Sequence, residues 1–138
     1  MKRIAVLVFS ALLSFASYAQ PESPQETARN FMKVGDWDNA ILVLNRALQS
    51  DPNNLELSKD LAFSYLYDKN YSKALENVNH AIENDQDAYY MYMMKARIQK
   101  ELGDKSGAKA SAEKCVQLAT ADKNDDYIRQ GNDFLKTL

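Results

Sequence analysis

Cys115 and His80 are the single cysteine and single histidine of this chain, and they bound the chemistry it can do. One of each cannot assemble a zinc site, which needs three or four nitrogen and sulfur ligands. No Ser-His-Asp or Cys-His nucleophilic set can be built around them either. The four glycines are never adjacent, so there is no glycine-rich phosphate loop. One acidic set has ligand spacing: Asp122, Asn124, Asp126 and Asp133 match the order of a calcium loop. Such a loop needs glycine after its third ligand for a sharp turn and usually ends in glutamate. Tyr127 stands at the glycine place, so the stretch reads as the acidic start of a helix. No catalytic residue, metal ligand or cofactor is expected.

The remaining side chains suit binding. Net charge is −2, which disfavours a nucleic-acid partner because that would call for a basic face. Charge is unevenly spread. Residues 51–87 carry eight acids against three lysines, whereas Lys95, Arg97, Lys100, Lys105, Lys109 and Lys114 outnumber the acids around them. Most of this is solvated helix face, and a basic end would orient an acidic partner. Tyr89 to Met94 is a run of aromatic and methionine residues, the types that anchor interfaces. Part of the run must be core, and part is expected to be a binding surface.

The elements that position these residues follow a 34-residue step. Ala28, Ala62 and Ala96 are so spaced, as are Ala40, Ala74 and Ala108. Ala47 and Ala81 follow the same step, with Cys115 in the third place, where it reads as a small buried hydrophobe. A fixed period with small residues at matched places marks stacked helix–turn–helix units. Three units, 21–54, 55–88 and 89–122, fill residues 20–122, and residues 123–138 form a C-terminal capping helix. In the first unit, Pro24 opens a helix and Gly35 ends it in the left-handed conformation. Asp36 caps the next helix, and Pro52 stops it. Lys69 replaces the glycine in the second unit, at a cost of about 1 kcal/mol, with Asn70 able to soften it. Gly103-Asp104 restores the turn. Trp37, Phe31, Tyr65 and Tyr71 fill the gaps between units. His80 faces outward.

This pattern resembles the tetratricopeptide repeat. The likeness is carried by Gly35-Asp36-Trp37-x-x-Ala40-Ile41, Asp51-Pro52-Asn53-Asn54, Tyr71-x-x-Ala74-Leu75, and Gly103-Asp104 with Ala108. Thr27, Lys95 and Gln99 depart from its larger apolar or aromatic residues, and Gln86 and Thr120 from its proline. These departures predict looser packing in the third unit. The resemblance implies an all-α solenoid acting as a scaffold that binds a peptide or protein in a concave groove. That groove would be lined by Arg29, Met32 and Lys33, then Lys59, Phe63, Leu66 and Tyr67, then Tyr90, Met93, Arg97 and Lys100. One branch of the family clamps a chaperone's C-terminal carboxylate with Lys, Asn and Arg. The aligned residues here are Gln25, Arg29, Asp60, Tyr90 and Met94, of which only Arg29 could serve.

The chain opens with Lys2-Arg3, an apolar run of 12 residues from Ile4 to Phe15, and Ser17-Tyr18-Ala19. This order reads as a secretory signal peptide, residues 1–19, cut after Ala19. The run is short of the roughly 20 residues that span a bilayer. The reading is therefore an exported, non-catalytic adaptor of a bacterial envelope, periplasmic or extracellular, with no membrane span after cleavage. The alternatives are a self-associating structural subunit, with Tyr and Met of the third unit as the contact, and a metal-binding or enzymatic protein, for which no constellation is found.

Overall fold

The computed structural model describes residues 22–138, and the expected signal peptide lies outside them. Among the described residues the chain forms seven helices and no strand. They are α1 (Pro24–Lys33), α2 (Trp37–Ser50), α3 (Leu55–Tyr67), α4 (Tyr71–Asn84), α5 (Tyr89–Glu101), α6 (Lys105–Ala121) and α7 (Asp125–Leu135).

Capping sets the boundaries. Asp36, Asn70 and Asp104, each 34 residues from the next, accept a hydrogen bond from the third backbone N–H of the following helix. Asn54 and Asn124 do the same for α3 and α7. At α1, Ser23 and Glu26 form a reciprocal capping box: Glu26 accepts from the Ser23 N–H at 2.9 Å, and the Ser23 hydroxyl accepts from the Glu26 N–H at 3.2 Å.

The turn within each unit uses one left-handed residue. Gly35 and Gly103 take φ of 75° and 80°, and Lys69 takes φ of 62°. The left-handed conformation costs a non-glycine residue roughly 1–2 kcal/mol. Asn70 does not relieve it, contrary to the sequence reading. Its φ is −87°, and it caps α4 instead. The tertiary structure holds Lys69 in this conformation because α3 and α4 must turn in the same geometry as α1 and α2.

The repeated alanines lie where helices cross. Ala28, Ala40, Ala62, Ala74, Ala96 and Ala108 are fully buried. Paired helices approach at roughly 8–10 Å only where side chains are small. Around them two clusters join the units: Leu44, Leu57 and Leu61 between the first and second, and Val78, Met91, Met94 and Ile98 between the second and third. Trp37 stacks on Tyr67 of the next unit, with ring centroids 5.2 Å apart.

The third unit is not loosely packed. α5 and α6 share the most extensive helix pairing among the described residues. Ala108, Ala112, Cys115 and Ala119 line α6 with no exposure, so the two helices lie close. Gln99, standing in an aromatic place, is satisfied on both sides. Its carbonyl accepts from the Ser111 hydroxyl at 2.6 Å, and its amide donates to Asp104 at 3.2 Å. A buried polar group with both ends paired avoids the desolvation cost that a lone one would carry. The sequence departs from the family there, but a hydrogen-bonded set replaces the missing ring. α7 then seats on α6, with buried Gly131 against Val116.

Lys69→Gly is expected to raise stability by about 0.5–1 kcal/mol, because relief of the left-handed strain exceeds glycine's extra unfolded-state entropy. Thermal melting monitored by circular dichroism should show a midpoint roughly 2–4 °C higher. A lower midpoint would contradict the strained turn.

Candidate interaction groove

The curvature follows from which helices touch. α1 contacts α3 and α3 contacts α5, whereas α2, α4 and α6 make no contact with one another. The first helices of the units are therefore closer together, and the array is concave on their side. No helix among the described residues is long and apolar enough to cross a membrane.

The end nearest α1 is an ion-paired patch. The Arg29 Nε donates to Asp60 at 2.7 Å, and its terminal nitrogen reaches Glu56 at 3.3 Å. Asp60 is only 6% exposed and also accepts from the Gln25 amide at 3.1 Å. Its hydrogen bond holds the Arg29 guanidinium above its ordinary pKa. Lys59 pairs with Glu56 at 2.6 Å and lies 5.5 Å from the centre of the Tyr90 ring. Carboxylates already satisfy both cations. Met32 is half-buried beside them, and Lys33 is exposed, donating to Asn30.

The middle is aromatic. Phe63 and Tyr67 have centroids 4.4 Å apart, and Trp37 meets Phe63 edge-on at 6.2 Å. Tyr67 remains 52% exposed. Tyr90 is half-buried, edge-to-face with Tyr89. Burial raises its hydroxyl pKa first, and Glu56 adds to the effect.

The far end is basic and is closed by α7. Arg97 donates to the Gln130 carbonyl at 3.2 Å. Lys100 donates to the Thr137 hydroxyl at 2.8 Å and sits 5.4 Å from the Phe134 ring centre. Leu66, Tyr67, Arg97, Lys100 and Phe134 help line a cavity of about 430 Å³.

Ten of the eleven expected residues keep exposed or half-exposed surface in the structure. Met93 is the correction. It is only 3% exposed and so offers almost no surface to a ligand. Met91 and Met94 are buried too, so the three methionines of the Tyr89–Met94 run are core, whereas Tyr89, Tyr90 and Tyr92 stay half-buried. The sequence reading missed Trp37 as a rim residue, although Tyr71 sits 34 residues later in the matching place. It also missed Gln130, Phe134 and Thr137, whose role depends on where α7 docks.

Other candidate groups are placed elsewhere. Cys115 is fully buried, and burial pushes its thiol up to about 11, with Arg97 opposing the shift. A protonated, inaccessible thiol is a poor nucleophile. His80 is exposed on α4 beside Asn84. In the acidic stretch, Asn124 caps α7 and donates to the Tyr89 hydroxyl, Asp126 pairs with Arg129, and Asp133 pairs with Lys136.

Comparison with known proteins agrees with this geometry. Two tetratricopeptide-repeat family models match residues 31–98 and 89–122. RNA polymerase II-associated protein 3 of Xenopus tropicalis is 30% identical over 94 residues, which cover 68% of this chain and 14% of that protein. The TPR2B domain of yeast Sti1, solved as a pHsp70 complex, superposes with a TM-score of 0.78 at 17% identity, covering 82% of this chain and 90% of that one. PcrH, a protein of Pseudomonas aeruginosa, solved with the chaperone binding region of PopB, gives 0.77 at 18% identity, covering 81% and 91%. The solved structures are likenesses of fold. With the 34-residue period, the buried alanines and two matching repeat models on one chain, this protein belongs to the tetratricopeptide-repeat family.

Proposed function

We propose that this protein is a non-catalytic adaptor that holds a peptide or protein segment in the concave groove, and that it works outside the cytoplasm in a bacterial envelope. The observation that carries the groove reading is the half-exposed Trp37–Tyr67–Phe63 surface between an ion-paired patch and a basic end. Rigid aromatic surface flanked by charge suits a segment with an apolar anchor. The solved neighbours support it, since one holds pHsp70 and another the binding region of PopB on the same fold.

A chaperone's terminal carboxylate is not the proposed ligand. Asp60, at one of the aligned clamp positions, is a carboxylate that neutralises Arg29, the one aligned cation. Met94, at another clamp place, is 8% exposed. The exported location rests on the Lys2–Ala19 pattern and on analogy within the family. Self-association through the third unit has less surface to use, because Met91, Met93 and Met94 are buried.

Affinity capture from the source cell, with the full chain beside a Phe63→Ala/Tyr67→Ala variant, tests the groove. The expected result is a partner retained by the native chain and reduced at least tenfold on the variant, with helicity unchanged. Equal retention by both would move binding off the groove, and recovery of the chain alone would favour self-association. Cell fractionation with N-terminal sequencing tests the location. The expected product starts at Gln20 and lies outside the cytoplasm, whereas a cytoplasmic chain retaining Met1 would overturn export.

A further inference from the structure

We propose that the cavity between the ends of α3, α5 and α7 takes an internal acidic segment of a partner. An Asp or Glu carboxylate would lie on Arg97 and Lys100, and an adjacent apolar side chain against Tyr67, Leu66 and Phe134. This inference rests on the groove reading and specifies the chemistry of its occupant.

The observation behind it is a contrast between cations on one face. Arg29 and Lys59 are each paired with a carboxylate. Among the described residues, Arg97 and Lys100 are held by neutral groups alone, the Gln130 amide carbonyl and the hydroxyl and carbonyl of Thr137. A neutral acceptor fixes a cation's position without cancelling its charge, so these two are preorganised and still positive. A guanidinium has five N–H donors, and Arg97 uses one of them among the described residues. The rest suffice for a two-point bond to a carboxylate. Lys69 adds a third positive charge to the rim. Among the described residues, Glu101 is the one acid lining the cavity. It is exposed at the edge and accepts from the Tyr71 hydroxyl at 3.5 Å.

Two further features fit an acidic, partly apolar ligand. The cavity of about 430 Å³ combines ring and leucine surface with these cations, and it falls in the range of roughly 300–1,000 Å³ typical of ligand sites. At the opposite end Arg29 and Lys59 are already paired with Asp60 and Glu56, so an acidic segment has less to gain there than at Arg97 and Lys100. Arg97 and Lys100 also lie outside the positions aligned with the family's terminal-carboxylate clamp, so the ligand need not end in a free carboxylate.

The test is fluorescence anisotropy of the full chain with a labelled decapeptide, acetylated and amidated at its ends, carrying two aspartates next to one leucine and one phenylalanine. Its control replaces both aspartates with asparagine. The expected result is about tenfold tighter binding of the aspartate peptide, with the gap closing at about 1 M salt, where screening reaches roughly 3 Å. Arg97→Gln/Lys100→Gln should bring the aspartate peptide to the asparagine level. Because those residues also tether α7, Lys69→Gly is the second variant. It removes a rim charge while easing its turn, and should weaken the aspartate peptide two- to threefold without loss of thermal stability. Equal binding of both peptides, still lost in Phe63→Ala/Tyr67→Ala, would overturn the acidic site and leave the groove reading standing. Binding of neither peptide would also overturn it, with the groove reading judged by partner capture. Binding only by a version with a free terminal carboxylate would replace it with a terminal clamp.

Discussion

Close helix crossing at alanine is the constraint on which the rest of this structure depends. Ala28, Ala62 and Ala96 on the first helices, and Ala40, Ala74 and Ala108 on the second, have no exposed surface. Larger side chains there would push the paired helices apart and change the angle at which each unit meets the next. Because the crossing is the same three times, the units stack with one repeated rotation. That rotation brings α3 into contact with both α1 and α5 and keeps α2, α4 and α6 apart, which is what makes one face concave.

The groove's chemistry is layered onto that frame by positions that the crossings leave free. Residues one repeat apart need not share a role. Arg29, Phe63 and Arg97 are spaced by 34, yet the first is an ion-pair partner, the second an aromatic wall and the third a cation held by an amide. The buried alanines repeat in all three units while these surface positions differ. Even Lys69 is carried through a left-handed turn by the packing on either side.

α7 does more than cover the last repeat. It meets α6 where Gly131 permits close approach, and its outer residues then reach the end of the groove. Gln130, Phe134 and Thr137 orient Arg97 and Lys100. Tyr127 packs edge-on against Tyr89, with centroids 5.0 Å apart. The capping helix and the groove are therefore physically coupled.

Much of the fold was legible in the chain because it depends on local, periodic signals. Proline, glycine and the capping Asp or Asn at matched places determined the helix boundaries, and the alanine period determined the stacking. The groove face comes from the likeness to the family, and the period relates its positions between units, as with Arg29, Phe63 and Arg97. Burial within that face did not follow from it. Met93 occupies a lining position yet packs inward, because exposure depends on how neighbouring helices close around it. Gln99 is stable in an aromatic place only because Ser111 and Asp104, from another helix and its cap, reach both ends of its amide. The sequence by itself determined that these helices repeat and stack. Only the tertiary structure decided which charges cancel and which stay available, because Asp60, Gln130 and Thr137 lie 31, 33 and 37 residues from the cations they hold. Contacts at that separation depend on helix docking, which no local pattern records.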